Sequence, residues 1–522
     1  MLRRCSRSPL ARAVAAYGLI LLSWLLSTPP FSGTDEWSHY LRATGIAHGS
    51  LIGQKLADSY VPAVTPFVPA MTPDELDLFR QFARVVRVPP EMSPAGYGCN
   101  AFHHLQSAHC NDAVTPLPVA SDEVTPVGIY IPTFYLIPAL ISRAASTALG
   151  AIRILRTADA MTCLILLAIA LLCAYDASRA GSSLLGVALA ATPMALFLGG
   201  IFNPNSPEIF AGIAFGCSLI RLLRDEPSPP RWVYLGAAAS GASLALARSL
   251  GPAWVALYLL AFALVAGNAK LRALWRGDRL RLLALTATLV VACAGNRFWD
   301  AAYGAHVRIA VAVSPDQQIS SRMLLLELAK EAIGYFQYLD TPMPGFAYKL
   351  YALAFGSLMI AALWRATNRE RLLFAICGVS TAVVPLVLYF AVLRGGGFGL
   401  QGRYVLPYIV IAPLFAGELL RRHWPTLPLL VRTSALASIP LISFLHFLGL
   451  YAAGRRSAVG LGGPKFFLLQ PEWSPPGGWG VSLGLAAIGC ALLATALAAG
   501  SRPKASITKA AIIGEVGVST RR

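Results

Sequence analysis

Apolar runs long enough to cross a lipid bilayer recur along this chain from one end to the other. A bilayer core needs about 20 apolar residues per helix, and a helix satisfies its own backbone hydrogen bonds where water is absent. Only 13% of the residues are charged, about half the share found in ordinary soluble domains. The sequence therefore predicts an all-α polytopic membrane protein.

Basic residues indicate the orientation of the chain in the membrane. The formal net charge is +18, yet the cations lie in short loops between apolar runs and do not alternate with aromatic residues, so we expect no nucleic-acid partner. Short basic loops are typical of the cytoplasmic side. The clusters placed on that side are Arg221, Arg224 and Arg231; Lys270, Arg272, Arg276, Arg279 and Arg281; Arg365, Arg369 and Arg371; and Arg421 with Arg422.

Charge counting then sets the number of crossings. We expect about twelve transmembrane helices with both termini in the cytoplasm. The apolar region 127–149 would place later basic loops outside if it crossed, so we expect a helix at the outer interface. A crossing there, with another weak segment not crossing, stays an alternative. The expected spans lie near residues 13–26, 158–175, 183–202, 206–222, 232–247, 251–267, 281–298, 346–364, 372–393, 404–420, 431–452 and 480–499.

Three regions follow from this count. Residues 1–452 form a transmembrane domain, which includes a long extracytoplasmic loop at 31–126 and the interfacial helix at 127–149. Residues 453–500 form an outer loop and the last span, and residues 501–522 form a cytoplasmic tail that we expect to be disordered. Arginines precede the first apolar run and no good cleavage site follows it, which indicates an uncleaved signal anchor.

Two cysteines lie in the outer loops, Cys99 and Cys110, whereas the others lie in or beside apolar runs. A disulfide between them is expected outside the reducing cytoplasm. Three histidines, His103, His104 and His109, lie between the two cysteines and suggest zinc as an alternative. Their spacing matches no standard zinc pattern, so we favour the disulfide.

Adjacent carboxylates, Asp35 and Glu36, follow the first apolar run by a few residues. Charge at the edge of a membrane is costly without a partner or a purpose. One interpretation is that the pair caps a short helix over 37–48, where the helix dipole favours anions. The other is that a carboxylate at this interface acts as a general base on a lipid-linked substrate. The residues alone leave both open.

Several segments resemble motifs of one superfamily. The first-loop stretch around Asp35 resembles that of the GT-C glycosyltransferases, which are multi-spanning enzymes that use polyprenyl-phosphate sugars. Two further segments, 334–344 and 401–407, look like a narrower bacterial family of predicted membrane proteins of unknown function that is regarded as GT-C-like. The resembling segments are 34–40 (TDEWSHY), 130–136 (YIPTFYL), 203–206 (NPNS), 246–249 (LARS), 334–344 (GYFQYLDTPMP) and 401–407 (QGRYVLP).

The resemblance implies an inverting glycosyltransferase with a GT-C-like fold and an active site at the outer face of a bacterial inner membrane. It implies that Asp35 is the general base, with Glu36 as its helper. The donor would be a polyprenyl-phosphate sugar, and the acceptor an envelope glycan, lipid or protein. Substrate or phosphate binding is expected of Arg403, Arg248, Gln401, Asn205 and His39, with Arg403 first because guanidinium binds phosphate oxygens in pairs.

Some positions depart from the superfamily pattern. Arg248 stands where relatives tend to have lysine, and Asn205 stands where they often have an acid. The sequence therefore leaves the metal open, with magnesium or manganese as the candidate divalent cation and no cofactor certain. The glycine-rich run 395–399 suggests an anion-binding nest or, more often, a flexible loop. Arg153 and Arg156 are expected to be snorkelling side chains at a helix end.

Two other functions are compatible with the chain. One is a transporter or flippase for lipid-linked glycans, which should carry charged residues at mid-span and often an internal repeat. The other is a non-catalytic partner in envelope assembly. The charged residues lie mainly at the ends of the expected spans, and the chain lacks a P-loop and a dinucleotide fingerprint. These features favour an enzyme whose donor arrives within the membrane.

Overall fold

The computed structural model describes residues 8–62, 71–114, 120–224, 229–304, 320–393 and 400–499. The tail at 501–522 and the glycine-rich run at 395–399 lie outside these residues. Helices dominate the described chain, and the few strands belong to loops. This composition of elements is that of an all-α polytopic membrane protein.

The helices follow one another as the apolar pattern predicts. They are α1 (Pro9–Ser27), α2 (Glu36–Ala47), α3 (Pro73–Phe82), α4 (Thr133–Ser142), α5 (Ala148–Ala174), α6 (Ala180–Ala190), α7 (Pro193–Leu198), α8 (Asn205–Leu222), α9 (Arg231–Ala247), α10 (Gly251–Tyr303), α11 (Ser321–Gly334), α12 (Gly345–Leu363), α13 (Asn368–Val387), α14 (Gly402–Ile409), α15 (Ile411–His423), α16 (Leu429–Val459) and α17 (Gly478–Ala498).

Eight helical stretches in the described residues are long and apolar enough to cross a membrane. One of them, α10, has 53 residues and non-helical backbone at Gly267 and Asp278, so it contains two of the expected spans. The expected spans that are not among these long apolar stretches correspond to α6 with α7, to α8 and to α9. Every expected span thus falls on a helix, while the number of crossings stays a prediction.

Two of the expected spans are broken helices. The first breaks at Thr192, whose side chain caps α7 by accepting from the Ala195 amide at 3.2 Å. The second breaks at Val410, which separates α14 from α15 and lies between Pro407 and Pro413. Proline lacks the amide that a continuous helix needs, so breaks at such sites are expected. Hydropathy alone gave each pair as one span.

The core lies around α6, α7 and α8. All their residues are buried except Arg221 of α8, which is partly buried. A helix that is buried on every side does not contact lipid, so it can carry polar residues that a lipid-facing helix cannot. This position is compatible with the buried polar residues Asn205, Ser206 and Glu208 of α8.

Two helices touch through their backbones at one point of this core. A Cβ atom on Gly186 of α6 would lie 2.5 Å from the carbonyl oxygen of Pro413. A Cβ atom on Gly417 of α15 would lie 2.7 Å from the Cα atom of Gly186. Neither site has room for a side chain, so these glycines allow an approach closer than any other residue permits.

The short helix α4 falls within the region expected at the outer interface. It has 10 residues and contains Pro138, so it is about half as long as a spanning helix must be. Apolar side chains on one part of its surface are exposed: Leu136, Ile137, Leu140 and Ile141. Its length and exposed apolar residues fit a helix that lies in the interface, which remains a prediction.

The long first loop has structure of its own. Three antiparallel strands, β1 (Gln54–Lys55), β2 (Arg84–Val88) and β3 (Ser121–Thr125), form a small sheet beside α2. The structure joins Cys99 to Cys110 in a disulfide with their Cα atoms 6.2 Å apart. A second pair of strands, β4 (Tyr335–Phe336) and β5 (Thr341–Pro342), lies in the segment that follows α11.

A buried arginine attaches this loop to the helical body. Arg456 of α16 donates to the carbonyl oxygens of Gln106 at 2.6 Å, Asn100 at 2.8 Å and His103 at 3.3 Å. It also pairs with Asp340 at 2.9 Å. The disulfide loop and the segment after α11 therefore meet on one guanidinium.

The orientation predicts opposite labelling of two exposed positions. We expect a cysteine in place of Asp58, in the first loop, to react with a membrane-impermeant maleimide on intact cells. A cysteine in place of Asn268, in a basic loop, should react only after permeabilisation. The native chain is the control, since its free cysteines in the described residues are buried or partly buried. Labelling of the Asn268 position on intact cells would show that the chain has the opposite orientation in the membrane.

Candidate functional site

Asp35 does not cap the helix that it precedes. It occupies the N-cap position of α2 in the left-handed region, with φ at 56°, and its side chain makes no capping hydrogen bond. Instead Oδ2 accepts a hydrogen bond from Nη2 of Arg403. A left-handed conformation costs a non-glycine residue on the order of 1 kcal/mol. The backbone therefore carries strain in a conformation that leaves this carboxylate directed at an arginine.

Glu36 has a different environment. Its carboxylate is fully buried and pairs with Arg156 of α5, with Oε1 2.6 Å from Nε and Oε2 2.6 Å from Nη2. It also accepts from the amides of Phe202 at 3.0 Å and Gly33 at 3.3 Å. The expectation that Arg156 snorkels at a helix end is wrong, because only 4% of its side chain is exposed. The partner of Arg156 lies far away in sequence, so no local sequence pattern indicated the ion pair.

The segment after α11 supports the first loop from the other side. Thr34 donates to the carbonyl oxygen of Gln337, and Tyr338 donates to that of Phe31 at 2.8 Å. Five non-glycine residues of the described chain have positive φ, and all but Phe102 lie in these two contacting stretches: Phe31, Asp35, Gln337 and Leu339. Strained backbone of this kind clusters at functional sites. The two resembling motifs, 34–40 and 334–344, are thus in direct contact.

The turn at residues 203–206, which precedes and begins α8, also contacts the site. Asn203 donates its side-chain amide to the carbonyl oxygen of Thr34 at 2.7 Å. Asp159 of α5, fully buried, accepts from the Asn203 amide at 3.2 Å and from the Ser206 hydroxyl at 2.7 Å. Asn205 accepts from Nη1 of Arg248 through Oδ1. The turn therefore links the first loop to the arginine that follows α9.

Two arginines meet around the ring of Tyr404. The guanidinium carbon of Arg248 lies 4.5 Å from the ring centroid and that of Arg403 lies 5.2 Å away. Arg248 also lies 5.8 Å from the Tyr130 ring and 3.9 Å from Glu208. Each cation is therefore held by aromatic faces as well as by acids.

Arg403 is the more unusual of the two arginines. None of its side chain is exposed, yet within the part of the chain that the structure describes Nε and Nη1 have no hydrogen-bond partner. Only Nη2 is engaged, by Asp35 and by the Tyr404 hydroxyl at 3.3 Å. Unsatisfied buried donors are costly, and those on a charged group more so. Two guanidinium nitrogens thus stand beside a half-exposed carboxylate without a partner among the described residues.

The remaining predicted residues lie around this pair. His39 of α2 lies 2.8 Å through Nδ1 from the Tyr135 hydroxyl. Burial and the nearby arginines lower the pKa of His39 to about 3, against the opposing charge of Asp35, so the ring is neutral. Gln401 is the N-cap residue of α14, two residues before Arg403, and its buried Oε1 has no partner among the described residues. Sequence reasoning did not single out Tyr130 or Tyr404, although both stand in the resembling motifs.

The arrangement of the first loop and the turn at 203–206 does not fit a divalent cation shared between them. Asp35 of the first loop faces Arg403, and Asn205 of that turn faces Arg248. In the part of the chain that the structure describes, no group of three or more His, Cys, Asp or Glu residues is placed to hold a metal ion. We therefore assign no step of the chemistry to a metal.

Together, these features describe a polytopic helical membrane protein with a charged site built from its loops and helix ends. The chain belongs to the DUF2142 family of predicted membrane proteins, whose family model matches residues 19–412. A comparison with curated proteins gave no match. Among solved structures, the chain is similar to ArnT from Cupriavidus metallidurans, in a crystal structure bound to undecaprenyl phosphate, with 14% identity and a TM-score of 0.36. The match covers 70% of this chain and 65% of that one, slightly less than two thirds of its length.

The buried ion pair between Glu36 and Arg156 predicts a large loss of stability when one of the two charges is removed. We expect Glu36→Gln to lower the free energy of unfolding by about 3–5 kcal/mol, because it leaves the Arg156 charge buried and uncompensated. Thermal unfolding of the purified protein in detergent measures the change. Glu91→Gln, at an exposed position of the first loop, is the matched control and should change little. A Glu36→Gln variant as stable as the control would contradict the structural role.

The Asp35–Arg403 pair predicts a pH dependence of stability. Burial raises the pKa of Asp35, but Arg403 and the other nearby cations hold the pKa below its ordinary value. A depressed pKa stabilises the fold above the unfolded pKa of about 4, and this contribution is lost as the pH falls through the folded pKa. The effect is modest because 48% of the side chain is exposed and solvent screens the pair.

We therefore expect Asp35→Asn to flatten the dependence of the unfolding temperature on pH between about pH 5 and pH 3. Thermal scans at a series of pH values measure it. Asp58→Asn, at an exposed position of the same loop, should leave the native dependence unchanged. Parallel curves for Asp35→Asn and the native protein would show that the carboxylate does not titrate against Arg403.

Proposed function

We propose that this chain is a GT-C-like glycosyltransferase that moves a sugar from a polyprenyl-phosphate donor to an envelope glycan, lipid or protein. The acceptor hydroxyl would attack the anomeric carbon with inversion at the outer face of a bacterial inner membrane. One observation carries the proposal. A fully buried guanidinium with two unpaired donors, that of Arg403, lies in contact with a half-exposed carboxylate, that of Asp35.

The unpaired donors of Arg403 suit a phosphate. Guanidinium binds phosphate oxygens through two parallel N–H groups, either Nε with Nη2 or Nη1 with Nη2, and such charge-assisted bonds are strong when water is excluded. Each of these pairs in Arg403 has one unpaired donor and shares Nη2 with Asp35. Arg248 lies on the same tyrosine ring and adds a second positive charge. In the proposed reaction the bond between the anomeric carbon and the phosphate oxygen breaks, and negative charge collects on the leaving phosphate. Fixed cations at this place would stabilise that charge.

Asp35 suits the role of general base. It is ionised at neutral pH because its pKa lies below the ordinary value, and about half of its side chain is open to a substrate. The acceptor hydroxyl would lose its proton to this carboxylate as its oxygen bonds to the anomeric carbon. Glu36 is unsuited to the role of helper, since Arg156 and two backbone amides already bind its carboxylate.

Donor binding would also change the basicity of Asp35. A carboxylate paired with an arginine is a weak base, because the pair favours the ionised form. A phosphate that engages Arg403 would compete for the same guanidinium and so raise the pKa of Asp35. The base would thereby be strongest when the donor is in place. The dependence of Asp35 basicity on donor binding would follow from the contact between the Asp35 and Arg403 side chains rather than from a movement of the backbone.

A donor that arrives within the membrane agrees with the rest of the chain. The sequence lacks the phosphate-binding loop and the dinucleotide fingerprint that soluble nucleotide donors use. The exposed apolar side of α4 lies next to the site, because Thr133 at its start donates to the carbonyl oxygen of Leu246, two residues before Arg248. Membrane lipids and a lipid-linked donor are the partners proposed on this basis.

The proposal predicts separate effects of two substitutions. Asp35→Asn should lower sugar transfer by about a hundredfold or more, the usual contribution of a general base, while the donor still binds. Arg403→Lys keeps the charge but loses the fork, so it should weaken donor binding. Complementation of a deletion strain, followed by analysis of envelope glycans and lipid-linked sugars, measures the first effect. Binding of a polyprenyl phosphate to the purified protein measures the second.

Asp58→Asn is the matched control for charge and loop, and it should restore the glycan fully. Each variant is scored only if it reaches the membrane in native amounts. Full restoration of the glycan by Asp35→Asn would show that Asp35 is not the general base. Accumulation of unchanged lipid-linked glycan on the inner leaflet would instead favour the transporter alternative, and an unchanged glycan profile on deletion would favour neither enzyme nor transporter.

A further inference from the structure

A second charged cavity lies at the other end of the helices. It has a volume of about 930 Å³ and is formed where α5, α8 and α15 end, where α13 begins and where α10 breaks. The basic loops that meet there are those placed in the cytoplasm by charge counting. We call it the inner cavity. It shares no residue with the site around Asp35.

Cations outnumber acids along its walls. The basic residues that line it are Arg221, Arg224, Lys270, Arg369, Arg421 and Arg422. The acids are Asp176, Glu370 and Glu418. The described lining therefore carries a net charge of three positive units at neutral pH. Such an excess, held between low-dielectric walls, concentrates anions.

The three acids hold arginines in place. Glu418 accepts from Arg224 at 3.0 Å and from Arg421 at 2.7 Å, and Asp176 accepts from Arg421 at 2.7 Å. Glu370 accepts from Arg422 at 2.7 Å. Arg224 is 95% buried and Glu418 equally so, so the walls are rigid and desolvated. A wall that is already organised binds a ligand without a further ordering cost.

The break in α10 provides space for another cation. Gly267 has φ at 62°, and a Cβ atom there would lie 1.6 Å from Nη1 of Arg369. Lys270, three residues on, donates to the carbonyl oxygen of Arg224 at 2.7 Å. Apolar residues complete the lining beside these cations: Leu223, Val265 and Ala266. The cavity is thus both basic and partly apolar.

Capping of helix ends explains some of these arginines but not the cavity. Arg224 donates to the carbonyl oxygens of Ala174 and Tyr175 at the end of α5, as a cation at a helix C-terminus does. Arg369 lies in the first turn of its own helix, α13, where a cation is unfavourable, and its guanidinium lies against the break in α10 at Gly267. A cation placed against the dipole and into a basic cavity needs another source of stabilisation.

We propose that the inner cavity binds the phosphate head group of an anionic lipid from the cytoplasmic leaflet. The cations would hold the phosphate oxygens, and the apolar wall would contact the start of the acyl chains. This inference does not rest on the proposed glycosyl transfer, since it uses other residues on the opposite side of the membrane. It requires only that the basic loops face the cytoplasm.

Calorimetric titration of the purified protein in non-ionic detergent tests it. The probes are dioctanoyl phosphatidic acid, dioctanoyl phosphatidylcholine and glycerol 3-phosphate. We expect the phosphatidic acid to bind most tightly. The double substitution Lys270→Gln with Arg369→Gln should weaken it about thirtyfold, at about fivefold for each cation near an anionic lipid. Lys270→Arg with Arg369→Lys keeps both charges and should retain most of the affinity.

The matched control is Arg272→Gln with Arg276→Gln, which removes two charges from the same loop region outside the cavity lining. It should leave binding within about twofold, and Asp35→Asn should leave it unchanged. Equal losses in the cavity and control variants would overturn the proposal, because binding would then be a diffuse charge effect. Glycerol 3-phosphate binding as tightly as the lipid would assign the cavity to a soluble phosphate ester instead. Absence of phosphatidic acid binding would also overturn it.

Discussion

One carboxylate buried against one guanidinium organises the end of this protein that carries the site around Asp35. Glu36 binds Arg156 of α5 and accepts from the Phe202 amide, just before the turn at 203–206, so three separate stretches of chain meet on two oxygens. Such a pair is tolerated in a dry interior only when each oxygen is satisfied, and here backbone amides supply what the arginine does not. With Glu36 fixed, the residue before it is fixed as well. The direction in which Asp35 points is therefore a consequence of its neighbour's ion pair.

The charged groups of the site are of two kinds, which differ in how many of their polar atoms have hydrogen-bond partners in the protein. Glu36 and Arg156 are bound on all sides and serve the fold. Asp35 has one bound oxygen and an open side, and Arg403 has two donors with no partner. Two adjacent acids of similar chemistry thus have different uses because their surroundings differ. Asp35 has a positive φ, and so does Gln337, which contacts the same loop. The backbone is therefore strained where the environments of Asp35 and Glu36 diverge.

Much of the fold was predictable because a helix in lipid is a local property of the sequence. Apolar runs and basic loops placed a helix at every expected span, since each run must satisfy its own backbone. The breaks at Thr192 and Val410 were not predicted, because hydropathy reports burial and not continuity. In the site, motifs at span ends pointed to Asp35 and Arg403. Arg156 was missed because its partner is 120 residues away, and only the packing of α5 against the first loop brings them together.

The contact between Gly186 and Gly417 has a mechanical consequence. Because their backbones touch, α15 cannot slide along α6 or rotate against it without a collision, so α15, with Arg421 in its last turn, acts as part of a fixed frame. The short helix α14, which carries Arg403, follows that frame across the break at Val410 and packs against α8 and α11. Because these contacts hold the backbone of Arg403, substrate arrival would change the conformation of its side chain rather than the position of its helix.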